Sequence, residues 1–162
     1  METANEVYFF RESGKYGSFS NFYPSKFIEG NIEFNCSEQY FMYYKFLTFD
    51  KDNKFLLEAI LNEKSPTKIK NFGRQVKNYD DKIWGEKRYQ VMIKALHLKF
   101  TQNKDIKDLL ISTKEKLLFE ASPFDKIWGI GYSGKIAVNM IDKTKFGKNL
   151  QGQALMEIRD SF

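Results

Sequence analysis

Three segments hold more polar and glycine residues than a packed core requires: Tyr16 to Pro24, Cys36 to Phe41, and Ile127 to Tyr132. In the second, Glu38 falls in the first turn of a predicted helix, where the positive end of the helix dipole stabilises a carboxylate. By position alone it therefore reads as an ordinary helix-start acid. Lys45 follows seven residues later, about two turns along the same face, with Met42 between them. By spacing alone it reads as a solvent-facing lysine, although its length lets it reach the cleft that Glu38 faces. A carboxylate and an amine in one cleft supply a general base together with a cation or a nucleophile. The three segments are far apart in the chain, so a shared pocket must be made by folding.

The third segment holds Gly129, Gly131 and Gly134 in a G-x-G-x-x-G pattern. A dinucleotide fingerprint needs a helix opening at its end and further strand and helix units, but no helix clearly opens at Gly134 and too little chain remains for those units. The glycines still suit a loop whose N–H groups approach a phosphate. Trp128, at the edge of that loop, is a core residue by type and a stacking surface for a base by position. His97 sits beside Leu96 and Leu98 on a core helix and reads as structural. Cys36 has no adjacent His or Asp to activate it as a nucleophile.

Bulk properties exclude several classes. The chain has 162 residues, the size of one domain, and carries a formal charge of +5 with a pI near 9.1. Lysines are spread along it, which suits a local phosphate pocket, while Lys68, Lys70, Arg74 and Lys77 form either a solvated helix face or a basic stripe. One cysteine and one histidine give neither an internal disulfide nor a clustered zinc site, so no metal and no cofactor is expected. With no membrane-length apolar run and no leader pattern at its start, the sequence reads as cytoplasmic. Oligomeric state is not legible.

The elements that must position these residues follow from periodicity. Val7 to Phe10 reads as a strand, and Lys26 to Phe34 as two more joined through Glu29-Gly30-Asn31. From Ser37, a candidate N-cap, Tyr40, Phe41, Tyr44 and Phe46 to Leu47 form an apolar helical face. Asp52 is expected to cap a second helix through about Leu61, and Ser65-Pro66 to open a third that stops at Gly73. Asp80 or Asp81 opens a long helix bearing Trp84, Val91, Met92, Ala95, Leu96 and Phe100, and another runs from about Asn103 to Ile111. Lys116 to Ala121 is a strand, Ser122 to Asn149 is glycine-rich with little periodicity, and Leu150 to Arg159 is a closing helix. The order predicts an α+β fold: a single compact domain over residues 1–162, mostly helical around a small sheet.

Taken together, Tyr16-Gly17, Ser20-Asn21-Phe22-Tyr23-Pro24, Ser37-Glu38-Gln39-Tyr40-Phe41 with Lys45, Trp128-Gly129-Ile130-Gly131, Asn149-Leu150-Gln151-Gly152 and Leu155-Met156-Glu157-Ile158-Arg159 resemble the NADAR, or YbiA-like, family. Each fragment is weak alone, but their order and spacing cover nearly the whole chain. The resemblance implies a compact α+β hydrolase of N-glycosidic bonds. Its substrates would be phosphoribosylamino-pyrimidine intermediates of riboflavin synthesis or ADP-ribose on guanine bases of nucleic acid. It further implies that Glu38 is the catalytic glutamate and Trp128 the active-site tryptophan. Lys45, Asn21 and Tyr16 fall in segments that line the pocket, with Ser20, Gly129 and Gly131 beside them. Some family members carry aspartate where this chain has Ile130, so an acid from that position is missing; Asp125 is the nearest carboxylate in sequence. On this reading Glu38 holds or deprotonates water beside the anomeric carbon, and Trp128 and Tyr16 orient the base. Lys45 and the Asn21 segment bind phosphate or ribose hydroxyls, or Lys45 forms a Schiff base with a ring-opened sugar. A non-catalytic nucleotide-binding module and a nucleic-acid-binding protein are the competing readings.

Overall fold

A computed structural model describes residues 1–162, and its contacts divide them into two compact units, Met1–Tyr23 with Lys104–Phe162, and Pro24–Asn103. The architecture is α+β, and the small sheet is in fact two separate strand pairs, one in each unit.

The Pro24–Asn103 unit opens with β2 (Phe27–Glu29) and β3 (Ile32–Phe34), an antiparallel hairpin with Phe27 opposite Phe34 and Gly30 at its turn with φ of 57°. Four helices follow: α1 (Ser37–Phe49), α2 (Lys54–Asn62), α3 (Pro66–Gly73) and α4 (Asp81–Gln102). Pro66 stands in the first turn of α3, and Asp80 caps α4 by accepting from the Ile83 N–H at 2.9 Å. Two caps fall one residue away from expectation. Cys36, not Ser37, is the N-cap of α1, so Ser37 is the first helical residue and its Oγ is buried without a hydrogen-bond partner. Asn53, not Asp52, caps α2, because its side chain reaches the Leu56 N–H at 3.2 Å.

The core of this unit is aromatic: Phe27, Phe34, Tyr40 and Phe46 are all buried. Glu29 locks α1 onto the hairpin, accepting from Tyr40 Oη at 3.2 Å and Tyr44 Oη at 2.7 Å, with Lys94 of α4 paired to the same carboxylate. The α4 core face includes a residue that periodicity does not announce, the fully buried Lys99, while His97 lies on the exposed face.

The other unit contains β1 (Glu6–Phe9) paired in parallel with β4 (Leu117–Glu120), Val7 opposite Leu118. α5 (Lys104–Ser112) and α7 (Leu150–Asp160) pack beside them. The glycine-rich stretch forms a loop holding a short helix, α6 (Gly134–Ala137), and a 3-10 turn at Lys143–Lys145, so a short helix does open at Gly134. No strand leads into Gly129, since β4 ends at Glu120, and the dinucleotide context is still missing.

Candidate active site

In the Pro24–Asn103 unit, Glu38 occupies the first turn of α1 and is buried. A carboxylate out of solvent is unlike an ordinary helix-start acid, which lies in water. Its neighbour Gln39 holds the helix start in place. Gln39 Oε1 accepts from the Asn35 N–H at 2.7 Å, and Nε2 donates to the carbonyls of Ile60, Leu61 and Glu63 at 2.9, 3.1 and 3.2 Å. The last carbonyls of α2, which have no partner within that helix, are thereby satisfied by the residue next to Glu38.

Lys45 is half-buried, not solvent-facing. Its Nζ donates to the Gly73 carbonyl at 2.9 Å and lies 4.2 Å from the centre of the Tyr79 ring. Gly73 also packs closely on α1: a Cβ there would meet Met42 Sδ at 1.8 Å, so a larger residue would have to displace the end of that side chain. Burial lowers the Lys45 pKa; the charge of Glu38 opposes that shift and the charge of Arg74 adds to it. Glu38 and Lys45 are thus electrostatically coupled, with Arg74 beside them. Gly73, Arg74 and Tyr79 escaped the sequence reading because nothing local ties them to Lys45. Lys68, Lys70, Arg74 and Lys77 are all exposed, and Lys68 lies 3.7 Å from Glu63.

Burial pushes the Cys36 thiol up to about 11, which leaves it protonated and unreactive near neutrality. No group of three or more His, Cys, Asp or Glu is arranged to hold a metal ion.

The remaining predicted residues belong to the other unit. Tyr16 lines a cavity of about 450 Å³ with Phe10, Ser13, Lys15 and Lys135; Ser20, Asn21, Trp128, Gly129 and Gly131 do not. Ser20 is buried, and its Oγ accepts from the Phe22 N–H at 3.2 Å. Asn21 and Trp128 are partly exposed, and Gln151 connects their segments. Its Nε2 donates to Phe19 O at 3.0 Å and Asn21 Oδ1 at 2.8 Å, and its N–H donates to Trp128 O at 3.1 Å. The Asn149-Leu150-Gln151-Gly152 motif was legible, but this long-range role was not.

Hydrogen bonds within the protein shape the loop around Trp128. Asp125 Oδ1 accepts from the N–H groups of Ile127 at 2.7 Å and Trp128 at 2.8 Å, so that oxygen shapes the turn. The Ile130 N–H donates to Glu120 O at 2.9 Å. Three N–H groups of the loop are therefore spent within the protein, leaving fewer for a phosphate. Ile130 itself is 0% exposed in an apolar cluster with Tyr8, Ala121 and Ala137, so its place is a core position.

Buried Glu38 and half-buried Lys45, two turns apart on α1, are groups of the types that acid–base or nucleophilic chemistry uses. Residues 8–162 match the NADAR domain family, and the chain belongs to it. The chain is 37% identical over 168 residues to "N-glycosidase R617" of Acanthamoeba polyphaga mimivirus, a match covering 99% of this chain and 98% of that protein. It is 36% identical over 156 residues to "N-glycosidase YbiA" of Escherichia coli strain K12, covering 95% and 86%. The NMR structure of the E. coli protein YbiA superposes with a TM-score of 0.77 at 32% identity, covering 99% of this chain and 86% of that one. No helix is long and apolar enough to cross a membrane.

Proposed function

We propose that this protein is an N-glycosidase that hydrolyses the bond between a ribosyl carbon and a base nitrogen, with ADP-ribosylated guanine as its preferred substrate and phosphoribosylamino-pyrimidines as the alternative. Membership of a family whose named relatives include N-glycosidases supports the reaction class. The observation that carries the assignment of chemistry is the coupled pair of buried Glu38 and half-buried Lys45 on α1.

Cleavage of a ribosyl C–N bond passes through an oxocarbenium-like state. Glu38 offsets its positive charge and takes a proton from the attacking water, whose oxygen bonds to the anomeric carbon as the C–N pair leaves with the base. Lys45, held by Gly73 O and the Tyr79 ring, binds substrate oxygens as a cation. Desolvation of Lys45 supports a second route, in which its neutral amine attacks the C1 imine of the ring-opened N-glycoside and expels the base nitrogen, leaving a Schiff base that water hydrolyses to the aldehyde sugar and the free amine. Tyr16 and Trp128 are assigned to the base, Asn21 and the neighbouring Ser20, Gly129 and Gly131 to the sugar and phosphate.

The formal charge of +5 and the exposed Lys68, Lys70, Arg74 and Lys77 support an anionic substrate carried on nucleic acid. The family match runs through both units, which supports one functional domain over residues 1–162. The lone, buried Cys36 supports a reducing compartment, and we place the protein in the cytoplasm. The test compares kcat/KM on an ADP-ribosylated guanine oligonucleotide and a phosphoribosylamino-pyrimidine, with released sugar followed by mass spectrometry. Preference for the oligonucleotide, declining steeply with salt, is expected. Preference for the pyrimidine overturns the substrate assignment, and salt-dependent binding with no cleavage of either overturns the enzymatic one.

A further inference from the structure

Gln151 has no role in the chemistry above, yet it is fully buried and spans three segments. The start of α7 that carries it is rigid for reasons visible in its own motif. Asn149 adopts a left-handed backbone with φ of 53°, and its side chain bridges β4 twice, Nδ2 donating to Leu118 O at 2.9 Å and Oδ1 accepting from the Glu120 N–H at 3.0 Å. Gly152 lets α7 lie directly on that strand, since a Cβ would stand 2.0 Å from Leu118 O. A side chain projecting from this turn has a fixed origin.

From that origin Gln151 spends both amide hydrogens, one on Phe19 O and the other on Asn21 Oδ1, while its N–H holds Trp128 O. The consequence falls on Asn21. With its Oδ1 engaged at 2.8 Å, the carboxamide is held in one of its two flip states, and its NH2 group is turned away from Gln151. Gln151 Oε1 is buried without a hydrogen-bond partner in the protein.

We infer that Gln151 is a positioning residue for substrate recognition: it sets the Asn21 carboxamide so that its NH2 donates to an acceptor oxygen of the substrate, a phosphate, hydroxyl or carbonyl oxygen. This rests on the assignment of Asn21 to substrate binding. Preorganising a donor removes the cost of orienting it on binding, so the effect falls on KM and leaves kcat nearly unchanged.

The experiment is a double-mutant cycle on Asn21→Ala and Gln151→Leu, with ADP-ribosylated guanine oligonucleotide turnover and the dissociation constant of free ADP-ribose as readouts. Each single variant is expected to raise KM and Kd about fivefold, the worth of one neutral hydrogen bond, with kcat within about twofold. The double variant is expected to match Asn21→Ala, because Gln151 acts only through Asn21. Side-chain amide NMR signals of Asn21 that shift on adding ADP-ribose in the wild type and stay still in Gln151→Leu would support the orientation directly. If Asn21→Ala leaves both constants unchanged, the assignment of Asn21 to binding is wrong. If Asn21→Ala weakens binding and Gln151→Leu, still folded by circular dichroism, does not, or adds to it independently, the inference about Gln151 alone is overturned.

Discussion

Placing an acid at position 130 tests whether that position is a core site or an easy exchange. Ile130 is 0% exposed among Tyr8, Ala121 and Ala137. Its backbone is pinned on both sides, its N–H donating to Glu120 O at 2.9 Å and its carbonyl accepting from the Gly147 N–H at 2.8 Å, so the side chain cannot swing into water. Ile130→Asp removes a buried side chain that contributes about 2–3 kcal/mol by transfer from water. The new carboxyl must also stay protonated in the fold, which costs about 1.4 kcal/mol for each pH unit above its free pKa of about 3.9, or about 4 kcal/mol at pH 7. Together the two terms give a loss of about 6–7 kcal/mol at pH 7, a fall in Tm of about 10 °C or more for a chain of this length. The pH dependence carries the diagnosis. The introduced acid has a raised pKa in the fold, so the folded state binds more protons than the unfolded one above about pH 4, and the deficit relative to wild type widens from there towards pH 7. Thermal melts by circular dichroism at pH 4.5, 5.5 and 7, with Ile130→Asn as the uncharged reference, read this out. An Asp variant within about 1 kcal/mol of wild type at pH 7, or one whose deficit tracks the Asn variant at every pH, refutes the burial argument and restores a loop acid as an easy exchange.

Three further outcomes are expected. Glu38→Gln should abolish turnover with Tm unchanged, since the amide keeps the shape but neither accepts a proton nor carries charge; activity within a few fold of wild type at equal stability removes Glu38 from the mechanism. Lys45→Met should raise KM if the amine binds as a cation and abolish borohydride trapping if it is a nucleophile, and mass spectrometry of wild type reduced with substrate decides, because no adduct on Lys45 rules out the Schiff base. Lys99 gives a stability signature at alkaline pH: burial takes its ammonium down from 10.5 to about 7, so between those values the unfolded chain binds a proton that the folded one lacks. Folding stability should therefore rise with pH across that window by up to about 1.4 kcal/mol per unit, and Lys99→Met should flatten the slope in denaturant titrations; an unchanged slope would mean that Lys99 stays charged in the fold.

What the sequence determined by itself is what neighbouring residues decide among themselves. Helical spacing from Ser37 onward places Glu38 and Lys45 on one face of α1, and Asp80, Pro66 and the Glu29-Gly30-Asn31 turn mark their elements because caps, φ restriction and turn geometry act within a few residues. The family's motifs were legible for the same reason, as short runs in a fixed order. What only the tertiary structure decided depends on partners distant in the chain. Lys45 is half-buried against partners distant in sequence, the Gly73 carbonyl 28 residues on and the Tyr79 ring. Ile130 is core because Tyr8 covers it, and Asp125 shapes a turn because the loop folds back upon it. Gln151 finds Asn21 across 130 residues, and Lys99 is buried on a helix whose polar face would have suited it. Burial and pairing at long range are set by packing, a property of the assembled chain that no window of local sequence contains.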